Sequence, residues 1–144
     1  MGEDGSATSR FRAELTGAWA EFLACAFFVF FGAGSVSAAV KAVGEPVVVE
    51  PINYAASFGF AITFLAFAIG DVSGGHINPA VTLALAATGN VTVSRAVLYL
   101  IAQFAGGIVG GGVLRACVGP DNYHSGIGLA ADLQPAGGFG LEAV

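Results

Sequence analysis

The stretch Ser73-Gly74-Gly75-His76-Ile77-Asn78-Pro79-Ala80-Val81-Thr82 decides how this chain folds. Asn is among the strongest helix N-caps, and Pro at the first helical position presets φ without losing a useful hydrogen bond, so a helix begins at Pro79 with Asn78 as its cap. It is short: the apolar run Pro79 to Ala87 measures about 14 Å as a helix before Thr88-Gly89-Asn90 closes it. That length covers about half of a hydrocarbon core of roughly 30 Å. In a membrane the segment dips in and returns. Its positive N-terminal end then lies near the midplane, and irregular backbone at that depth, here Gly74 to Ile77, survives only when buried in protein or facing a watery cavity.

The rest of the sequence supplies the membrane. Of 144 residues, 56% are hydrophobic and 10% are charged, against roughly 25% charged in soluble domains. Upstream, residues 15–40 carry one ionisable group, Glu21, and form a first span. Residues 41–51, with Gly44, Pro46 and Pro51, make a loop in which Val47-Val48-Val49 is a candidate extended piece. Residues 52–70, rich in Phe and Ala, form a second span that Asp71, Gly74 and Gly75 end. Downstream of the half-helix at 78–87, residues 93–118 form a third span, whose Gly106, Gly107, Gly110, Gly111 and Gly112 suit close helix packing. Residues 119–144 make a glycine-rich loop followed, from Phe139, by another helix start. The expected fold class is an all-α membrane protein with three transmembrane helices and one re-entrant half-helix, ending at the start of a fourth helix.

Composition also excludes function classes. The net charge is −5 and the five cations, Arg10, Arg12, Lys41, Arg95 and Arg115, are scattered, which argues against nucleic acid. No nucleophile and base pair or metal cluster is legible, so neither an enzyme nor a metal or cofactor site is expected. Cys25 and Cys117 lie in apolar runs, where a buried free thiol is the default. The positive-inside rule sets Arg10, Arg12 and Arg95 against Lys41 and Arg115, three against two, which places residues 1–14 in the cytoplasm as an N-terminal tail. The sequon Asn90-Val91-Thr92 is then a polar turn on the cytoplasmic side. Met1 to Ser9 lacks a cleaved leader's pattern, and Met1-Gly2-Glu3-Asp4-Gly5-Ser6 fits the N-myristoylation pattern only loosely.

The half-helix suggests a pore before any relative is considered. Carbonyls of Gly74, Gly75 and His76 would accept hydrogen bonds from passing molecules, the Asn78 amide would donate one, and the glycines let the backbone turn its carbonyls outward. A positive helix end opposes cations in transit and so favours neutral solutes. Glu21 needs a partner at that depth and is either an interfacial carboxylate or an acceptor for the re-entrant backbone. His76 has no second ligand nearby and is a packed side chain whose carbonyl faces the pore. Tyr123 and His124 are expected in solvent.

The ten residues from Ser73 to Thr82 resemble the first signature loop of the aquaporin, or major intrinsic protein, family. The resemblance extends through Ala20-Glu21-Phe22, Phe58-Gly59-Phe60, Arg95-Ala96 and Ala102-Gln103, and covers Glu14 to Val144. It implies a passive water channel with Asn78 as a central pore donor, Pro79 and Ala80 packed against a partner half-helix, and Val81 in the apolar wall. It implies that Phe58 is an aromatic of the narrow filter, the type found in water-selective members, with a glycerol or small-solute facilitator as the alternative. Glu21 would hold the re-entrant loop by accepting its backbone hydrogen bonds. Family members join two inverted repeats and form homotetramers in the bilayer. By this resemblance the chain holds the first repeat and the start of the second, at Gly140-Leu141-Glu142-Ala143-Val144. A non-conducting half-channel that assembles with or regulates full-length channels is the alternative of another class.

Overall fold

The computed structural model describes residues 3–43 and 51–123, with side chains described over 8–38 and 52–123. The candidate extended piece at Val47-Val48-Val49, the myristoylation pattern, His124 and the helix start at Phe139 lie outside the described residues. Four helices follow in order: α1 (Glu3–Val43), α2 (Pro51–Ser73), α3 (Pro79–Ala87) and α4 (Val93–Val118), with a 3-10 turn at Pro120–Asn122. Among the described residues there is no strand.

Three of these helices, over Thr8–Ala38, Ile52–Ser73 and Val93–Val118, are long and apolar enough to cross a membrane. α1 begins twelve residues before the expected span, because polar residues end an apolar run without ending a helix; Glu3 to Glu14 contains no Pro. α2 likewise runs past Asp71 to Ser73, and the Gly74 N–H still donates to the Gly70 carbonyl at 2.9 Å. The turn comes at Gly74 and Gly75, whose φ values of +96° and +66° no helix accommodates.

α1 is the central element and packs against both α2 and α4. Its pairing with α4 is parallel: Glu14 meets Ser94, Gly17 meets Tyr99, Glu21 meets Gln103, and Ala26 meets Gly110. A Cβ at Gly106 would run into the Phe22 carbonyl oxygen, and one at Gly110 into that of Ala26, so two glycines four residues apart let the backbones touch. Gly112 has open space around it, so the glycine-rich face is only partly a packing surface. The pairing of α1 with α2 is antiparallel, with Phe28 edge-on to Phe58 at 5.3 Å and Ser73 bonded to Glu21. α3 lies against α4. A small core of Ala24, Cys25, Leu65 and Ile77 joins α1, α2 and the re-entrant loop. Cys25 is buried as expected, whereas Cys117 is exposed on the outside of the last turn of α4.

Candidate functional site: a re-entrant loop held on a buried carboxylate

The site is the five-residue connection between α2 and α3. Asn78 has extended backbone (φ −152°, ψ 123°), and its Oδ1 accepts the Ala80 N–H at 2.8 Å. Because the cap uses the amide oxygen, Nδ2 points elsewhere, and among the described residues nothing accepts its hydrogens. Asn78 is exposed, as are Ala80 and Val81, while Pro79 is half-buried. These four residues therefore form the tip and open face of a half-span helix.

Behind the tip, every loop N–H is bound by the protein. Gly75 N donates to Ser73 Oγ at 3.1 Å, His76 N to Glu21 Oε1 at 2.8 Å, and Ile77 N to Glu21 Oε2 at 2.6 Å. The Ser73 hydroxyl also donates to Oε1, at 2.7 Å, and Gln103 Nε2 donates to Oε2, at 2.9 Å. Glu21 is fully buried, and these four donors fill the acceptor capacity of a carboxylate. The loop carbonyls of Gly74, Gly75, His76 and Ile77, by contrast, accept no hydrogen bond from any described residue. Donors are turned inward and acceptors are left free.

Glu21 is close to the middle of the apolar stretch Thr8–Ala38, and Gln103 is near the middle of α4. The clamp thus fixes the loop at half-depth in the spans. Ile77 has φ +49°, a left-handed value that is costly for a β-branched side chain. Its side chain is buried in the core and its N–H is taken by Glu21, so packing and hydrogen bonding together hold the strained conformation.

Four residues of this network were not assigned roles from the sequence: Ser73, Thr82, Tyr99 and Gln103. Gln103 Nε2 donates to Thr82 Oγ1 (2.9 Å) as well as to Glu21, and Thr82 Oγ1 lies 3.0 Å from His76 Nδ1 and 3.2 Å from the Asn78 carbonyl oxygen. Thr82 has one proton. Given to the Asn78 carbonyl, it leaves the hydroxyl oxygen to accept from both Gln103 and an Nδ1–H tautomer of His76. Tyr99 donates from its hydroxyl to the Ser73 carbonyl at 2.9 Å and packs its ring edge-on to His76 at 5.2 Å. One usable signal existed for Gln103, a polar side chain in mid-span.

Phe58 is not part of this cluster. Its ring covers Gly32, where a Cβ would overlap it, and lines a cavity of about 490 Å³ with Val29, Gly111, Arg115 and Tyr123. That cavity lies in the half of the bundle that α3 does not occupy. Tyr123 was expected in solvent; it is half-buried on this cavity, with its hydroxyl over Gly111.

A model of the family described as "Major intrinsic protein" matches residues 8–144. The chain belongs to the major intrinsic protein family. Relatives include "Aquaporin-5" of Homo sapiens, 44% identical over 117 residues, covering 81% of this chain and 42% of that protein. "Aquaporin-1" of Pongo abelii is 36% identical over 129 residues, covering 87% of this chain and 48% of that protein. "Probable aquaporin TIP2-2" of Oryza sativa subsp. japonica is 41% identical over 117 residues, covering 76% and 46%. The chain thus spans less than half the length of these relatives. As a major intrinsic protein with three membrane-length apolar helices, it is an integral, multi-pass membrane protein.

Proposed function

We propose that this chain forms the first half of a passive transmembrane channel for water, with Asn78 as one of its central hydrogen-bond donors. The observation that carries the reading is the state of the Asn78 amide: its oxygen is committed to the Ala80 N–H, and its NH₂ is exposed and unengaged at the positive end of a half-span helix. A molecule passing this point meets a donor at Asn78 and then the unengaged carbonyls that precede it. Water, which both donates and accepts, suits that alternation. A cation is opposed there by the helix end.

Glu21 acts as the structural support of the loop and does not line the path. Gly74, Gly75 and His76 contribute carbonyls, Val81 an apolar wall, and Phe58 an aromatic constriction in the other half of the bundle. This is a transport role and not an enzymatic one. The names of the relatives support water as the solute, and the share of their length that is matched supports a second repeat as the opposite wall.

Stopped-flow shrinkage of proteoliposomes tests the reading, with this chain reconstituted alone and together with a second repeat. Water flux above that of empty vesicles is expected in the paired sample, and Asn78→Asp should abolish it. The Asp oxygen still caps Ala80 N–H, so helicity and melting temperature should hold. Equal flux for Asn78→Asp and the parent would overturn the assignment of Asn78. Glycerol flux comparable to water flux would favour the small-solute facilitator.

A further inference from the structure

A second cavity, of about 340 Å³ and with a largely polar lining, lies between the third and fourth turns of α1 and the turn that joins α3 to α4, lined by Arg10, Glu14, Asn90, Thr92 and Arg95. We infer that this cavity is a binding site for a phosphate-bearing anion, with Arg10 and Arg95 as its ligands. The inference is independent of what the pore conducts.

The position comes first. α1 and α4 run parallel and both enter their apolar stretches at this end, at Thr8 and Val93, so the cavity lies at the boundary between bilayer and water. The half-helix α3 also ends there, at Ala87. Phosphate groups of lipids are concentrated at that depth, and soluble phosphate esters reach it from the aqueous side.

The chemistry is selective. Among the described residues neither guanidinium is engaged in an ion pair. Each presents a planar fork of N–H donors suited to phosphate oxygens, and two forks from separate helices suit the two unesterified oxygens of a phosphodiester or the oxygens of free phosphate. Thr92 caps α4 by accepting the Arg95 N–H, so the positive end of the α4 dipole opens on the same space. The negative end of α3 is already covered, because the N–H groups of Thr88, Gly89 and Asn90 take the carbonyls of Ala84, Ala86 and Leu85. Among the described residues that line the cavity, Glu14 is the one opposing charge. Its Oε1 accepts weakly from Ser94 Oγ at 3.4 Å, and it leaves the cavity with a net charge of +1 from two arginines and one glutamate.

If these arginines only anchor the helix ends to the interface, they act singly and without lipid preference. Arg12, exposed on the same turn and absent from the cavity lining, is the internal control. The chain would be purified in detergent and titrated with phosphatidylglycerol, with phosphatidylcholine of the same acyl chains, and with inorganic phosphate, bound molecules being counted by native mass spectrometry. Phosphatidylglycerol should be retained about three- to tenfold more strongly than phosphatidylcholine, in keeping with one or two charge-assisted contacts. Arg10→Gln and Arg95→Gln should each remove the preference, Arg12→Gln should leave it, and Glu14→Gln, which keeps an acceptor for Ser94, should increase it. Arg95→Lys, retaining the charge, should preserve part of it and shows that loss in the Gln variant is not misfolding. Retained inorganic phosphate that depends on Arg10 would identify a soluble anion as the source; lipid retention that phosphate does not displace would identify the headgroup. Equal retention of the two lipids without any phosphate adduct, or an equal loss with Arg12→Gln, would overturn the proposal.

Discussion

The Ile77 N–H donates a 2.6 Å hydrogen bond to Oε2 of Glu21, 56 residues earlier in the chain, and by that bond a helix in mid-span dictates the backbone conformation of the re-entrant loop. Ile77 is the one described non-glycine residue with positive φ. A left-handed β-branched residue costs about 1–3 kcal/mol and persists only where its surroundings over-determine it. Here Glu21 holds the amide from one side while Ala24, Cys25 and Leu65 hold the side chain from the other.

Glu21→Ala should therefore destabilise the chain more than truncation of any apolar residue in α1. It strands the buried His76 and Ile77 amides and one Gln103 donor, at about 1–3 kcal/mol for each group that finds no water, and leaves the Ser73 hydroxyl only the Ile69 carbonyl at 3.3 Å. Glu21→Gln keeps one acceptor oxygen but turns an NH₂ group towards donors, so it should recover only part of the loss. Thermal unfolding in detergent gives the order: parent, then Gln, then Ala. A Gln variant as stable as the parent would show that the carboxylate is not needed.

Glycine positions offer a sharper test of the packing. Gly75 is left-handed, and a Cβ there would lie 2.9 Å from the Ala66 carbonyl oxygen; Gly110 abuts the Ala26 carbonyl. Gly59 and Gly112 lie in helices with nothing within 4 Å. Gly75→Ala and Gly110→Ala should lower the melting temperature, whereas Gly59→Ala and Gly112→Ala should be neutral or stabilising by up to about 1 kcal/mol from helix propensity. A uniform response across the four would contradict the helix contacts described.

The contrast between those pairs shows what could be read from the sequence. Asn78-Pro79 and Gly119 carry local backbone signals, so the start of α3 and the end of α4 are legible one residue at a time. The start of α1 is not: hydropathy marks where a helix enters lipid, and the helix itself continues into the polar segment from Glu3. Nor could a list of residues show which of the α4 glycines meet α1, since that depends on the parallel register set by Glu14 with Ser94 and Glu21 with Gln103. The loop motif pointed to its free carbonyls and to Asn78. The Ser73, Thr82, Tyr99 and Gln103 scaffold is assembled across separations of 21 to 82 residues, which no local pattern encodes.

Within that scaffold Tyr99 has a separable task. Its hydroxyl reaches the Ser73 carbonyl across α1 because Gly17 has no side chain in the way. Tyr99→Phe keeps the ring against His76 and loses one buried hydrogen bond, so about 1 kcal/mol is expected. Gly17→Ala pushes the same hydroxyl aside and should cost at least as much. Combining the two should cost less than their sum, because Phe removes the atom with which the Ala methyl collides. Additive losses would place the effect of Gly17 elsewhere.

The last prediction concerns selectivity and uses the proposed role of Phe58. Its ring is fixed by Phe28, edge-on at 5.3 Å, and by the bare backbone of Gly32 beneath it, so its position in the 490 Å³ cavity depends on a residue that faces no solute. Phe58→Ala should widen the cavity directly, raising glycerol flux relative to water flux in a paired reconstitution. Gly32→Ala should move the ring off its seat, and a displaced ring narrows the path, lowering both fluxes without opening the channel to glycerol. The two substitutions thus shift the glycerol-to-water ratio differently although they alter the same contact. If both raise the ratio, Gly32 acts by loosening the bundle; if neither changes it, Phe58 is a packing residue and the constriction lies elsewhere.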